Sequence, residues 1–491
     1  MNLQLFRTMV ILTVALGGVD CPAQWIFRLD TTFRTSIVEQ NVNSLAIMPD
    51  SRLLLSGRIK FPGDMGSPRG SAILHADGAQ DLSFTDFNGG GKLTPWNSKY
   101  YVSVGQTVRR LMPNGNIDPT YIAMNLGPYF QSGSGGDYHV FPDGRVLITG
   151  NHHLSDSIRG FTGWYKLIWF SNEGYLDTTR IHRQANGPMW NFTALPDGKF
   201  LCSCSCTEYD GQPVGRVFRI HADGSLDTTF QTDINTGNIF AYHPLEDGRV
   251  LVGGNFRSAF DPDQVLQFVR FMPDGSLDPS FNNYMYFGVA DGLNGVPKVT
   301  NIIPWHDDKY FVMGFFRNVD GDTRGGICVT DTSGQLLPLM DECLNGPFTY
   351  MVNTAASIHG ITPTPDGTGF YINGTYAGYT DGLINDTLQR FVSRLLVEQD
   401  TTVGISTAAS NTANFSLHPN PSTGLVHINF EPPTTNGVAQ VRDALGRLVY
   451  VQRLSATNNT LDLRALSDGL YFVSINTHDQ HLPAQRLVLQ R

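Results

Sequence analysis

The residues of this chain best suited to chemistry are aspartates interleaved with aromatic rings. Asp64, Asp156, Asp210, Asp261, Asp263, Asp320, Asp322, Asp381 and Asp386 stand in loop-like stretches. Tyr129, Phe130, Trp190, Phe240, Tyr284, Tyr286, Phe348 and Tyr350 fall between them. Carboxylates accept hydrogen bonds from sugar hydroxyls or coordinate hard cations, and rings stack on sugar faces. The pattern therefore suits a carbohydrate- or cation-binding rim, with Asp210, Asp261, Asp263, Asp320, Asp322, Asp381, Trp190, Tyr284 and Tyr286 as its candidate ligand-binding residues. The plainer use of the same residues stands beside it: aspartates cap turns, and rings pack beneath strands.

Motifs that would specify an enzyme are missing. No metalloprotease helix motif, nucleophile elbow, P-loop or dinucleotide fingerprint occurs, and no residue is assigned a catalytic role. Asp320-Gly321-Asp322 has the start of a calcium loop without its remaining ligands, so no metal site or cofactor is expected, with structural calcium left as an alternative. The adjacent His152 and His153 would face opposite ways on a strand, and a surface loop is their expected home. Cys202, Cys204 and Cys206 alternate with serines and fall on one face of a strand. Same-face neighbours lie about 6.6 Å apart, too far for one zinc or a disulfide, so small core thiols are expected. Cys328 and Cys343 either pair, as an exported chain allows, or stand as separate buried thiols.

Two alternating phrases must position these residues. The first phrase, the head, reads Met48-Pro49-Asp50-Ser51-Arg52, Trp96-Asn97-Ser98-Lys99, Phe141-Pro142-Asp143-Gly144-Arg145 and Leu195-Pro196-Asp197-Gly198-Lys199. It continues as Leu245-Glu246-Asp247-Gly248-Arg249, His306-Asp307-Asp308-Lys309 and Thr364-Pro365-Asp366-Gly367-Thr368. The aspartate-equivalent positions are 47, 46, 54, 50, 60 and 59 residues apart. Alternating apolar runs flank each head, so Pro-Asp-Gly joins two strands: proline presets φ, aspartate caps the turn and glycine takes the positive φ. A third strand leads to the second phrase, the tail, as in His221-Ala222-Asp223-Gly224, and a fourth follows, as in Leu226-Asp227-Thr228-Thr229-Phe230. Four strands recurring near every fifty residues are the signature of propeller blades.

Seven heads are followed by only six tails. The seventh tail, Arg28-Leu29-Asp30-Thr31-Thr32-Phe33, precedes everything, while the last head runs through Gln389 to Leu395 and stops. An N-terminal strand that completes the last blade removes the open edges, and predicts an all-β, seven-bladed ring over residues 24–399. The short glycine turns then share one face. The long second-to-third-strand loops and the connections between blades share the other, which is where the aspartates and rings fall.

Composition agrees. Charged residues are 16% of the 491, glycine (51) and proline (27) are plentiful, and the net charge is −10, so a turn-rich β protein is expected and nucleic acid is not. Arg7, the apolar run from Thr8 to Val19 and the small residue Ala23 read as an export signal over residues 1–23. No segment approaches the eighteen or so apolar residues of a spanning helix. A monomer is expected. Residues 400–414 read as a linker, and residues 415–491 as about seven short strands, a small Ig-like β-sandwich.

Two resemblances follow from these motifs. The heads and tails resemble the delta-60 repeats of bacterial surface and secreted proteins, which implies a β-propeller and hardly any particular activity. The unit at Trp96 and the Leu336-Leu337-Pro338 stretch depart from the pattern. Pro419-Asn420-Pro421-Ser422-Thr423-Gly424, Asp443-Ala444-Leu445-Gly446-Arg447, Gly469-Leu470-Tyr471-Phe472 and the ending Arg486-Leu487-Val488-Leu489 resemble the sorting domain of type IX secretion cargo in Bacteroidota. That resemblance implies the type IX machinery as a partner, passage to the outer surface or medium, and removal of the domain. The leading expectation is a non-catalytic module that binds a glycan or a protein. Its rival is an extracellular glycan-acting hydrolase or lyase at the mouth of the central channel, which would need two carboxylates, or a histidine and a carboxylate, at that mouth.

Overall fold

The fold is that of a computed structural model describing residues 24–84, 89–122, 129–289, 292–306, 308–400, 415–430, 436–444, 448–455, 459–477 and 481–491. The expected export signal, the linker from residue 401 on, and Gly446 lie outside the described residues. Every regular element described is a β-strand.

The heads form the hairpins their residues dictate. At Leu195–Lys199 the Leu195 amide donates to the Lys199 carbonyl at 2.8 Å, the Gly198 amide to the Leu195 carbonyl at 3.0 Å, and Asp197 Oδ1 accepts from the Lys199 amide at 3.1 Å. Gly198 takes φ +81°. Such hairpins open antiparallel sheets that follow one another along the chain, the first holding Glu39–Ile47, Leu53–Lys60 and Arg69–Leu74. The first strands of the others begin at Leu93, Phe130, Met189, Ile234, Lys298 and Ser357. A short fourth strand or bridge follows most third strands, such as Leu111↔Ile117, Phe271↔Leu277 and the strand Leu226–Asp227. In the last of these sheets the fourth strand is N-terminal: Gln24–Leu29 pairs antiparallel with Leu395–Asp400.

The cores lie between sheets. Leu54 and Ile73 pack on Tyr100 and Val102, Leu147 and Trp169 on Phe192 and Cys202, and Leu201 and Val217 on Val250 and Val252. Tyr371 and Val392, near the C-terminal end of the series, pack on Leu53 and Leu74 at its start. First strands of adjacent sheets touch one another: Glu39–Ile47 meets both Leu93–Trp96 and Ser357–Pro363. The first strands therefore surround the axis.

The tails explain themselves in the same terms. Arg219 on a third strand donates from Nε to Asp227 at 2.8 Å, lies over the Phe230 ring at 4.9 Å, and reaches the Pro273 carbonyl of the next sheet at 2.7 Å. Lys199 of the preceding head adds a second cation to Asp227 at 2.9 Å. Arg110 with Asp118 and Tyr121, Arg270 with Asp278 and Phe281, and Arg394 with Asp30 and Phe33 repeat the arrangement. Arg394 closes the circle by donating to the Ala76 carbonyl of the first sheet. These buried groups are paired and hydrogen-bonded, as burial requires. Lys99, Lys199 and Arg249 of the heads thus each add a second cation to a tail aspartate, Asp118, Asp227 and Asp278.

In the C-terminal region, Phe415–His418, Leu425–Phe430 and Thr460–Asp462 form one sheet, and Leu448–Ser455, Asn436–Asp443, Gly469–Thr477 and His481–Leu489 another. Leu417, Val426, Ile428, Val441, Leu461, Val473 and Leu487 fill the space between them.

Two expectations need correction. Cys204 and Cys206 form a disulfide with Cα atoms 5.2 Å apart. The strand ends at Cys204 and the chain bends at Ser205, so the extended spacing does not hold there. Cys202, Cys328 and Cys343 are separate buried thiols. His152 and His153 lie on the strand Val146–Asp156 and not in a loop; His152 is buried, bonded to Ser132 Oγ at 2.8 Å and to the Thr149 carbonyl at 3.0 Å.

Candidate binding site at the channel mouth

A β-bulge interrupts the first strand in several sheets. Asn43 is left unpaired between Val42↔Gly57 and Ser44↔Ser56, and Phe240 between Ile239↔Gly254 and Ala241↔Gly253. Thr300 is left over between Val299↔Gly314 and Asn301↔Met313, and His359 between Ile358↔Gly374 and Gly360↔Asn373. A bulge re-aims the side chain it carries. It also brings the two backbones so close that a Cβ at Gly57, Gly314 or Gly374 would collide with the carbonyl oxygens of Asn41, Lys298 and Ser357. The glycine on each of these second strands is therefore there for the bulge.

Three of these bulges converge on one cavity of about 470 Å³, within the range of small-molecule sites. Its wall is made by Asn43, Thr300, Ser357 and His359 from first strands, with Lys298 at the start of the sixth sheet, Phe315 beneath, and the connecting residues Asn294, Gly295, Val296 and Ala355 above. Asn294 and Thr354 tie the two connections together, the Thr354 amide donating to Asn294 Oδ1 at 3.0 Å.

The histidine is held neutral. Its Nδ1 lies 3.2 Å from the Val42 carbonyl, which can only accept, so Nδ1 carries the proton and Nε2 accepts from Ser357 Oγ at 2.9 Å. Burial and the nearby Lys298 lower its pKa to about 4. The Lys298 ammonium lies 4.7 Å from the centre of the Phe240 ring, and burial lowers its pKa as well. The Thr300 hydroxyl is buried without a partner. No carboxylate lines the cavity among the described residues. The arrangement offers one positive charge, several neutral hydrogen-bonding groups and an apolar floor. It does not assemble an acid–base pair.

The C-terminal motif residues are tied to one another. Asn420 donates from Nδ2 to the Arg486 carbonyl at 2.6 Å and accepts at Oδ1 from the Val488 amide at 3.0 Å. Tyr471 donates its hydroxyl to the Ser467 carbonyl at 2.7 Å. Gly424 has φ +122°, and a Cβ there would crowd Arg464. Pro419 and Pro421 flank Asn420, and Asp443 and Tyr471 are paired across adjacent strands ahead of Gly469. Residues 416–490 match the family model of the secretion system C-terminal sorting domain, and residues 195–230 and 245–281 match that of a β-propeller domain of unknown function, DUF5122.

The chain joins a DUF5122 β-propeller to a type IX sorting domain.

The sorting domain marks the propeller for export to the cell surface or the medium. Among the described residues no helix is long and apolar enough to cross a membrane. Similar solved structures include PorZ, a surface component of the type IX secretion system of Porphyromonas gingivalis, at 14% identity and TM-score 0.32, covering 92% of this chain and 60% of PorZ. They also include the WD40 domain of Neurospora crassa Pan2 (10%, TM-score 0.36, covering 74% and 90%) and an oligogalacturonate lyase from Vibrio parahaemolyticus (11%, TM-score 0.39, covering 77% and 94%). The chain thus spans about three fifths of PorZ's length. A search of the curated proteins found no match.

None of the nine candidate ligand residues lines the cavity at the channel mouth. Asp381 is buried, accepting the Leu29 amide at 2.7 Å and the Leu383 and Ile384 amides at 2.9 and 2.7 Å, as a turn cap. Asp210 binds the Gln184 amide and Arg183. Asp320 accepts the Tyr286 amide, and burial raises its carboxyl to about 7 against the pull of Arg442. With Asp322 it lines a second cavity, shared with Arg442 of the sorting domain. Asp261 pairs with Arg453 of that domain at 3.2 Å, and Asp263 is exposed. Tyr284 is half-buried against the core between the fourth and fifth sheets. Trp190, 36% exposed, lies on a first strand and donates to Ser205 Oγ at 3.0 Å. The residues missed, Asn43, Lys298, Thr300 and His359, belong to the first sheet and the last two, at opposite ends of the series. The recurring Gly57, Gly314 and Gly374 were the signal that could have found them.

Proposed function

We propose that this chain is a secreted or surface-displayed, seven-bladed propeller closed by its N-terminal strand, carrying an Ig-like sorting sandwich, and that it acts as a non-catalytic module binding a glycan or protein. Residues 24–399 are the propeller and residues 415–491 the sorting domain. The ligand meets the face that holds the connections, at the channel mouth. The observation that carries this is the cavity itself: bulges on first strands present Asn43, Thr300 and His359 to one space. The histidine's two nitrogens are already engaged there, which suits recognition better than proton transfer.

The test is the melting temperature of the full chain against a polysaccharide panel, compared with Val296→Trp, which fills the cavity from an exposed position. A ligand that binds only the folded state raises the melting temperature with concentration. The expected result is such a rise with one saccharide, lost in Val296→Trp, with the saccharide recovered intact. A saccharide recovered degraded would make the chain an enzyme. No rise with any saccharide would remove the glycan reading and leave a protein ligand.

A further inference from the structure

Lys298 stands apart from the other lysines of the chain. Lys60, Lys92, Lys99, Lys199 and Lys309 each pair with a carboxylate, and Lys166 donates to Asn151. Lys298 is half-buried at the cavity wall with no such partner among the described residues, only the Phe240 ring. A cation removed from water without a counter-charge is costly, and here it stands beside a cavity rather than in packed core. Around it are groups that suit hydroxyls. Asn43 donates one amide hydrogen to the Gly90 carbonyl, leaving the other and Oδ1 for a ligand, and the Thr300 hydroxyl has no partner. Phe315 and Val296 supply apolar surface for the face of a ring.

We propose that the channel mouth binds an acidic sugar, its carboxylate on Lys298 and its hydroxyls on the bulge residues Asn43 and Thr300. This rests on the binding-module reading above and adds the ligand's charge and class. One ammonium matches a singly charged group. A phosphate would call for more positive charge than the single ammonium this wall supplies.

The test is calorimetric titration of the full chain with glucuronate, glucose and inorganic phosphate, on the natural protein, Lys298→Met and Lys298→Arg. Because Lys298 pairs with no carboxylate among the described residues, Lys298→Met should fold, which its melting temperature checks. The expected result is saturable glucuronate binding, at least tenfold weaker glucose binding, a preference erased in Lys298→Met and kept in Lys298→Arg. Phosphate binding as tightly as glucuronate would make the site a plain anion site and overturn the sugar. Glucose binding as tightly as glucuronate would overturn the role of charge while leaving the mouth a sugar site. Absence of glucuronate binding would overturn the assignment by itself. The polysaccharide panel with Val296→Trp judges the binding module separately.

Discussion

Asp320 and Tyr286 exchange two hydrogen bonds: the Asp320 amide donates to the Tyr286 carbonyl at 2.8 Å, and the Tyr286 amide donates to the Asp320 carboxylate at 2.9 Å. Asp210 holds Gln184 in the same way, at 2.9 and 3.0 Å. Both aspartates have positive φ, at +51° and +47°, and each precedes a glycine. The loop between second and third strands is thereby clamped to the connection arriving from the preceding sheet. Asp210→Ala should cost about 0.5–1.5 kcal/mol in urea unfolding through the lost acceptor. Asp263→Ala, exposed, should stay within about 0.5 kcal/mol. Equal costs would contradict the clamp.

The buried arginine of the repeats makes a larger demand. Asp227→Ala leaves Arg219 without its carboxylate and should cost about 3–5 kcal/mol, read from denaturant midpoints. Asp223→Ala, in an exposed turn one step away, is the comparison that should stay mild.

Gly374→Ala tests the bulge. The added methyl meets the Ser357 carbonyl, so a loss of about 1–3 kcal/mol is expected. Ligand binding at the mouth should fall as well, since Ser357 and His359 lie on the strand that must move. Gly63→Ala, where nothing is within 4 Å, should affect stability through φ alone and leave binding intact.

Acid should weaken the propeller through its buried histidines. His182 is buried, accepts the Trp169 amide at Nδ1, and burial lowers its pKa from 6.5 to about 4. The folded state thus binds fewer protons than the unfolded chain between those values. Its contribution is complete above about pH 6.5 and is lost as pH falls towards 4. Melting temperatures across that window should fall with decreasing pH, and less steeply in His182→Phe.

Asn420 is the hinge of the sorting motif with the C-terminal strand. Asn420→Ala removes two hydrogen bonds to residues 486–488 and should lower the exported fraction of the chain. The propeller's melting temperature should stay the same, because the contact lies wholly within residues 415–491.

How much of this was legible depended on how local the cause is. Pro-Asp-Gly declares a turn by its own backbone preferences, so the hairpins and their period could be read directly. The Arg219–Asp227 pairing was also written in the sequence, since Arg110–Asp118 and Arg270–Asp278 share its spacing of eight residues. The disulfide was hidden because Ser205 bends a strand that the alternation of Cys and Ser extends. The aspartate rim could be read two ways because a carboxylate that caps a turn and one that binds a sugar look alike until their partners are seen. Lys298, His359 and Asn43 carry no common motif; only closing the ring brings them together.

That closure has a consequence for biogenesis. The strand Gln24–Leu29 waits for Leu395–Asp400, more than 350 positions later, so the most distant strand pairing among the described residues is also the one that seals the ring. Contacts of such separation form late and slowly. Until the far end has emerged, the chain carries an unpaired edge and stays short of its final compactness. A protein destined to leave the cell is thereby kept from closing its ring until Asp400 has been delivered.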